Sequence, residues 1–398
     1  MRLHQSQSID KYHQIDTITT VLSARGETKT RILIITSVTT GSGHKSVSDS
    51  LVEQFNLMPD VEVKAIDGFD LAGRHAYHSS YIYGILTRHA PWLYNLCWKI
   101  SDAGQPAFVV PRLLCSRRFL ECVKDYEPDL IISVHSLFNS LITKLLHKYH
   151  LDIPVVVVQA DLVSIHSTWC NKDAFMTICP TEQAREKSIR HGMDPDKLKV
   201  LRFPVRKRFV DAAMSSEKQV YDSSRPLRIL LTGGGEGSIG IKKYARKILA
   251  DPNVVLTIIC GRNKKLQAKL QKGLEPEYKE RVNILGFVDD MEQKMLQSDL
   301  LIARGSPNTL TEAVILGVPI IMTGPFLEQE RGNFTIANDL NLGVVCNSPD
   351  DILSIISDLI ANDAEGLKKM HEAQVNYRRF DNAYNIASYV KELTDGQN

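Results

Sequence analysis

The chain of 398 residues contains no apolar run of the roughly 18 residues that a membrane-spanning helix needs. Its opening residues, MRLHQSQSIDKYHQ, lack the apolar centre of a secretion signal, so a peripheral position on the cytoplasmic side of a membrane, or none, is expected. Seven cysteines, odd in number and without a C-x-x-C pair, argue against a disulfide framework and against a structural zinc site. Net charge is also scarce, at +2, which excludes a basic nucleic-acid footprint over the whole chain. The first half is the more basic and holds most of the 12 histidines, which suits an anionic surface, although an asymmetry this small also arises by chance.

What the chain has in quantity is short β-branched runs, each followed by Gly, Ser, Asp or Pro and then a helix-like stretch. RILIITSV, VEVKAID, LIISVH, VVVVQA and MTICP occupy the first half; LRILLTGG, VVLTIICG, VNILGF, LLIARG and VPIIMTG occupy the second. Continuous apolar runs of this length mark parallel strands covered on both faces, and so predict an α/β fold, twice over. The expected division is a poorly ordered lead (1–29), a first Rossmann-like domain (30–210), a linker in VDAAMSSEKQVYDSSRPLR (211–225) and a second Rossmann-like domain (226–398). The final helix-like segment, from Asp363 onward, is a candidate to return to the first domain. Two doubly wound domains so joined place a ligand cleft between the carboxyl ends of their sheets.

The loop TTGSGHKSVSDSL after the first strand is the first candidate site. It fails as a Walker A loop, because His44 separates Gly43 from Lys45 and Val38 stands at the first glycine position. As a dinucleotide fingerprint it offers Ser46 at the third glycine, with Asp67 ending the next strand. What remains is a glycine turn opening a helix that favours an anion or polar headgroup, with an imidazole at its mouth. A histidine at a helix N-terminus tends to be held neutral, the form that a general base needs. A capping or packing histidine is the plainer alternative. In the second half, LLTGGGEGSIGI puts Gly233, Gly234 and Gly235 where a backbone can approach a phosphate, with Ser238 and Gly240 leading into a helix. Farther on, Ser306 to Thr309 opens a helix with Glu312 one turn inside, where a carboxylate can accept both hydroxyls of a ribose. The loop from Phe326 to Asn333 gathers Glu328, Gln329, Glu330, Arg331 and Asn333, a solvated loop or a reader of sugar hydroxyls.

TTGSGHKS, PDLIISVHS, ADLVSIHSTW, FPVRKRF, TGGGEG, ICGRNKKL, SPNTLTEA and LEQERGN stand in the order, and at about the spacing, of the monogalactosyldiacylglycerol synthase family of family 28 glycosyltransferases, which the chain resembles from about residue 31 to 390. The bacterial processive diacylglycerol glucosyltransferases are similar, and the lipid-linked N-acetylglucosaminyltransferase of peptidoglycan synthesis is more distant. The resemblance implies a GT-B fold, a UDP-sugar donor held mainly by the second domain and a diacylglycerol acceptor reached from the membrane by the first. It makes His44 the candidate base, with Gly43 beside the acceptor. Gly233, Gly234, Gly235, Glu236 and Gly237 would line the donor phosphates, with Arg262 in ICGRNKKL nearby. Gly286, Phe287 and Val288 would hold the uracil, and Ser306, Asn308 and Thr309 would form the donor loop. Glu312 would hold the ribose, and Gln329, Glu330 and Asn333 would meet the sugar. Asp161, His166 and Trp169 would lie near the acceptor. Ala160, Ser167, Ser306 and Asn308 depart from the family, the last two replacing glycines of its donor loop.

Between the second and third strands, Trp92, Tyr94 and Trp98 interleave with Arg88, Lys99, Arg112, Arg117 and Arg118, as an interfacial anchor requires. A hairpin packing its aromatics inward is the alternative. The resemblance puts the family's lipid entry here, and makes Trp92, Trp98, Arg112, Arg117 and Arg118 the candidate membrane contacts on an anionic surface. The expected reaction is an inverting transfer of galactose from UDP-galactose to 1,2-diacylglycerol without metal or other cofactor. UDP-glucose as donor, or a UDP-N-acetylglucosamine-using transferase or epimerase of the same fold, are the alternatives.

Overall fold

The computed structural model describes residues 29–38, 42–72, 86–87, 90–103, 112–216, 218–233, 240–324 and 326–396. Six parallel strands form a first sheet: β1 (Thr30–Thr36), β2 (Val61–Asp67), β3 (Leu130–Ser133), β4 (Val155–Val158), β5 (Met176–Cys179) and β6 (Leu198–Val200). Its spatial order is β2-β1-β3-β4-β5-β6. A second sheet is built from β7 (Leu227–Thr232), β8 (Val254–Ile259), β9 (Val282–Leu285), β10 (Leu300–Arg304), β11 (Ile320–Thr323) and β12 (Val344–Cys346), in the order β12-β11-β10-β7-β8-β9. Both sheets are parallel and both are covered by helices, as in the GT-B architecture expected from the sequence.

The apolar runs explain the layering. Successive side chains of β1 point to opposite faces, so Ile32 and Ile34 pack with Val47, Leu51 and Phe55 of the helix Ser42–Phe55, whereas Leu33 and Ile35 pack with Phe69, Phe119 and Phe138 on the other face. Each such side chain, once buried, contributes roughly 1.5–3 kcal/mol. In each sheet the order reverses beside the first strand, between β1 and β3 and between β7 and β10. Loops leaving the carboxyl ends of those two pairs diverge and open a crevice, where ligands of this fold class bind.

Two short edge strands, β6 and β12, escape the apolar-run criterion because each has three residues, one of them interrupted by Lys199. The expected linker also begins inside structure. The helix Lys207–Ser215 buries Phe209 and Ala212 and packs against the helix Pro307–Leu316 of the second lobe. Beyond it, the chain is fastened by the buried Asp299, which accepts from both terminal nitrogens of Arg225 (2.6 and 2.8 Å) and from the Arg228 amide (2.9 Å). After the helix Ile352–Tyr377, the last helix, Asn382–Asp395, lays Ile386, Ala387 and Val390 against the same cluster as Leu51 and Phe55 of the first lobe. There Asn382 donates to the Phe203 carbonyl (3.1 Å) and Lys391 pairs with Asp60 (3.0 Å). One apolar cluster therefore runs across the junction of the lobes. Among the described residues no helix is long and apolar enough to cross a membrane.

Candidate active site

His44 stands third in the helix Ser42–Phe55, just beyond β1, facing the loop that leaves β3. Its Nδ1 lies 2.9 Å from the Val134 carbonyl oxygen. A carbonyl only accepts, so Nδ1 carries the proton and Nε2 keeps its lone pair. Burial lowers the imidazole pKa to about 4, outweighing the Val134 bond, which acts the other way. Burial, rather than the helix terminus invoked from sequence, is thus the main cause of its neutrality. His135 places its ring 4.3 Å from that of His44 and is itself held well below the usual histidine range by burial and by its neighbour. Its role as cap of the helix Ser136–Lys148, accepting from the Leu137 amide, went unassigned in the sequence. The available signal was a histidine directly after a buried strand at the point where the sheet order reverses.

Trp169, fully buried, closes this pocket with its ring 6.1 Å from His44, and its indole N–H donates to Asp161 Oδ2 at 2.7 Å. Burial pushes the Asp161 carboxyl up to about 7 despite that bond, and the nearby Glu330 adds to the rise. His166 belongs to a different set of contacts. Its Nδ1 accepts from the Thr168 amide (3.1 Å), which leaves Nε2–H to donate to Ser101 Oγ (2.9 Å) on the helix Pro91–Asp102. It therefore fastens the acceptor segment to that helix.

The donor-side candidates gather at the carboxyl ends of β7, β9, β10 and β11. Gly233 follows β7, and Gly240, at φ 99°, starts the helix Ile241–Ile248 in a conformation that glycine alone adopts readily. Gly234, Gly235, Glu236 and Gly237, with Ser238, lie outside the described residues. Phe287 is 54% exposed with the Arg262 guanidinium 4.8 Å from its ring centre, a flat platform bounded by Gly286 and Val288. Ser306 caps the helix Pro307–Leu316 by accepting from the Thr309 amide, and Asn308 reaches across the cleft to donate to the Gly43 carbonyl at 3.3 Å. On the same helix Glu312 lies 3.6 Å from Arg206 of the first lobe; burial pushes its carboxyl up to about 7, with Arg206 and Arg208 opposing. Glu330 pairs with Arg304 (2.9 Å), and Asn333 donates to the Gly305 carbonyl (2.9 Å). Asn333 Oδ1 and Arg206 Nε are buried here with no hydrogen-bond partner among the described residues. Gly332 is seated so tightly on the other lobe that an added Cβ would meet Val163 at 2.3 Å.

The candidate membrane contacts divide. Trp92 is 70% exposed, and Leu96 and Ile100, four and eight residues on, expose the same face of the helix Pro91–Asp102. Trp98 falls on the opposite face, where its ring meets that of His166 edge-on at 4.9 Å, so it is an internal contact. Arg117 is exposed and paired with Glu121, and Arg118 donates to the Asp70 carbonyl. Arg112 begins the helix Arg112–Tyr126, and its side chain lies outside the described residues.

Comparison with known proteins bears on this geometry. The family description "Monogalactosyldiacylglycerol (MGDG) synthase" matches residues 44–205, and "Glycosyltransferase family 28 C-terminal domain" matches residues 228–333. The chloroplastic monogalactosyldiacylglycerol synthase of Spinacia oleracea is 29% identical over 390 residues, covering 92% of this chain and 73% of that protein. Among solved structures, Acinetobacter baumannii MurG shares 14% identity at a TM-score of 0.60, covering 92% of this chain and 99% of that one. The UDP-GlcNAc 2-epimerase of Neisseria meningitidis bound to UDP-GlcNAc shares 13% at 0.60, covering 91% and 100%. Those two structures establish the fold and no more. The sequence matches reach further, since one takes in His44 and the segment from Asp161 to Trp169 and the other the loops after β7, β9, β10 and β11. Over its two lobes together, the chain is thus similar to the monogalactosyldiacylglycerol synthases in the first and to the family 28 glycosyltransferases in the second.

Proposed function

We propose that the chain transfers galactose from UDP-galactose to the free hydroxyl of 1,2-diacylglycerol, with inversion at the anomeric carbon, to give monogalactosyldiacylglycerol. The observation that carries the reading is the state of His44: an uncharged imidazole whose Nδ1–H is fixed by a backbone carbonyl and whose Nε2 is left basic. In this reading Nε2 takes the proton of the acceptor hydroxyl as its oxygen attacks the anomeric carbon from the face opposite the diphosphate. The bond to UDP breaks as the new glycosidic bond forms. Charge developing on the departing diphosphate faces the N-termini of the helices Ile241–Ile248 and Pro307–Leu316, whose positive dipole ends are preorganised for it. The Phe287–Arg262 platform takes the uracil, Glu312 the ribose, and Gln329 and Glu330 the sugar.

Diacylglycerol lies in a bilayer, and the face formed by Trp92, Leu96 and Ile100 supplies apolar side chains at one surface, with the exposed Arg117 for anionic headgroups. The reading therefore makes the protein a peripheral one, on the cytoplasmic side. Galactose is favoured over glucose because the similar curated proteins, such as that of spinach, are named as galactolipid synthases. An epimerase would need no acceptor and leaves the exposed aromatic face without a use.

The test is to incubate the full chain with vesicles containing diacylglycerol and, separately, UDP-galactose, UDP-glucose and UDP-N-acetylglucosamine, and to identify the lipid product by mass spectrometry. A galactolipid from UDP-galactose is expected. Absence of glycolipid with every donor would sink the transferase reading, and a glucolipid alone would replace the sugar.

A further inference from the structure

The helix Pro91–Asp102 belongs to the first lobe, yet two of its consecutive side chains end on the second. Asn95 pairs with the loop 326–330 on both edges of its amide: Nδ2 donates to the Phe326 carbonyl (3.1 Å), and Oδ1 accepts from the Glu328 amide (2.8 Å). A neighbouring strand would satisfy the loop backbone in the same manner. Beside it, the Tyr94 hydroxyl donates to Oε1 of Gln329, and Lys99 lies 3.7 Å from Glu328. Where the loop runs on into the helix Arg331–Asp339, the first lobe holds it again, through the Ser164 hydroxyl on the Gly332 amide (3.0 Å).

The two side chains that this loop offers a donor sugar are therefore oriented from different places. Glu330 is fixed within its own lobe by Arg304. Gln329 is fixed by Tyr94, from the acceptor lobe. A glutamine amide has one accepting end and one donating end, so the partner that takes its oxygen decides which way the amide faces. Galactose and glucose differ in the orientation of one hydroxyl, a difference that a directed amide can read.

The geometry points to Tyr94 and Asn95 as positioning residues for the donor sugar: Asn95 sets the loop, and Tyr94 sets the Gln329 amide and with it the discrimination between epimeric hexoses. This rests on the reading of the loop as the sugar-facing one. A residue of the acceptor lobe would then set the choice of donor, so the choice is complete only when the lobes are together.

The experiment measures kcat and KM for UDP-galactose and UDP-glucose with the full chain on diacylglycerol vesicles, and Kd for each donor by calorimetry, in the parent, Tyr94→Phe, Asn95→Ala and Asn95→Asp. Loss of one neutral hydrogen bond predicts, for Tyr94→Phe, an increase in the preferred donor's KM of about three- to tenfold. The ratio of kcat/KM between the two donors should change by a similar factor. Asn95→Ala should raise KM for both donors together and leave their ratio unchanged, with Asn95→Asp, which keeps the acceptor edge, lying between. Half-saturation by diacylglycerol should not move in any variant. A donor ratio unaltered in folded Tyr94→Phe overturns the inference, as does a change confined to the lipid dependence. Should the parent bind UDP-sugars yet form no glycolipid, the transfer reading fails, while the Kd ratios still decide the role of Tyr94.

Discussion

The two walls of the cleft surround their buried ionisable groups differently. On the first lobe, His44, His135 and Asp161 are all ionisable, yet burial holds both histidines neutral at ordinary pH and pushes Asp161 up to about 7. On the second, buried carboxyls stand beside guanidinium groups: Glu330 with Arg304, and Glu312, also pushed up to about 7 by burial, with Arg206, while Arg262 lies over the Phe287 ring. On the proposed reading, the first wall lifts a proton from an alcohol and gains from an uncharged base, because an imidazolium could not accept it. On the same reading, the second wall holds a nucleotide sugar and gains from polar groups already in place. The contrast gives each wall a distinct signature under mutation.

The largest expected effect is on the wall that carries the histidines. His44→Ala should lower turnover by a factor on the order of 10² to 10⁴ with both substrates saturating and the melting temperature little changed. In the parent, the limb of kcat that depends on His44 should rise with pH through about 4, far below the 6.5 of a free imidazole. A His44-dependent limb near 6.5 would show that the pocket is wet.

Glu312→Gln probes the second wall. Hydrogen bonds to an ionised acceptor are the stronger kind, so the variant's KM for the UDP-sugar should rise by about ten- to a hundredfold at pH 8. The gap should narrow at pH 6, because the parent carboxyl, with a pKa of about 7, is by then largely protonated. A gap independent of pH would assign Glu312 a packing role. Asn308→Gly should have a smaller effect, about three- to tenfold in kcat/KM. It removes the tie between the helix Pro307–Leu316 and the Gly43 carbonyl beside His44. Equal kcat/KM in parent and variant would show the walls to be independent.

The smallest effect is on stability. Asp161 binds a proton more tightly folded (about 7) than unfolded (3.8), so its contribution is fully present below about pH 4 and is lost as pH rises through 7. Asp161→Asn can still accept from the Trp169 indole and should flatten that fall, melting several degrees higher than the parent at pH 8 and no higher at pH 4. Equal melting curves at pH 8 would place Asp161 in contact with water.

How much of this the sequence disclosed follows from what each feature depends on. Ten strands were legible because an apolar run such as RILIITSV declares burial on both faces; β6 and β12 were not, since three residues at an edge carry no such run. The helix Lys207–Ser215 runs across the expected boundary at 210 into the expected linker, its apolar residues being few and matched by a partner surface in the other lobe. His44, Glu312 and Gln329 could be singled out from their positions after strands and at helix starts. The ring contact of His135 with His44 and the parts played by Arg206, Asn308, Tyr94 and Asn95 could not, because each is defined by a neighbour about ninety to more than two hundred and sixty residues away in the chain.

The last helix, returned to the lobe where the chain began, has a mechanical meaning. The chain passes between the lobes once ahead of the helix Lys207–Ser215 and again ahead of the helix Asn382–Asp395. A body hung from one strap can swing and twist in any direction, whereas two straps define a line, and the remaining freedom is rotation about it. The gap between His44 and the donor loops can widen or narrow along that arc, but the two walls cannot slide out of register.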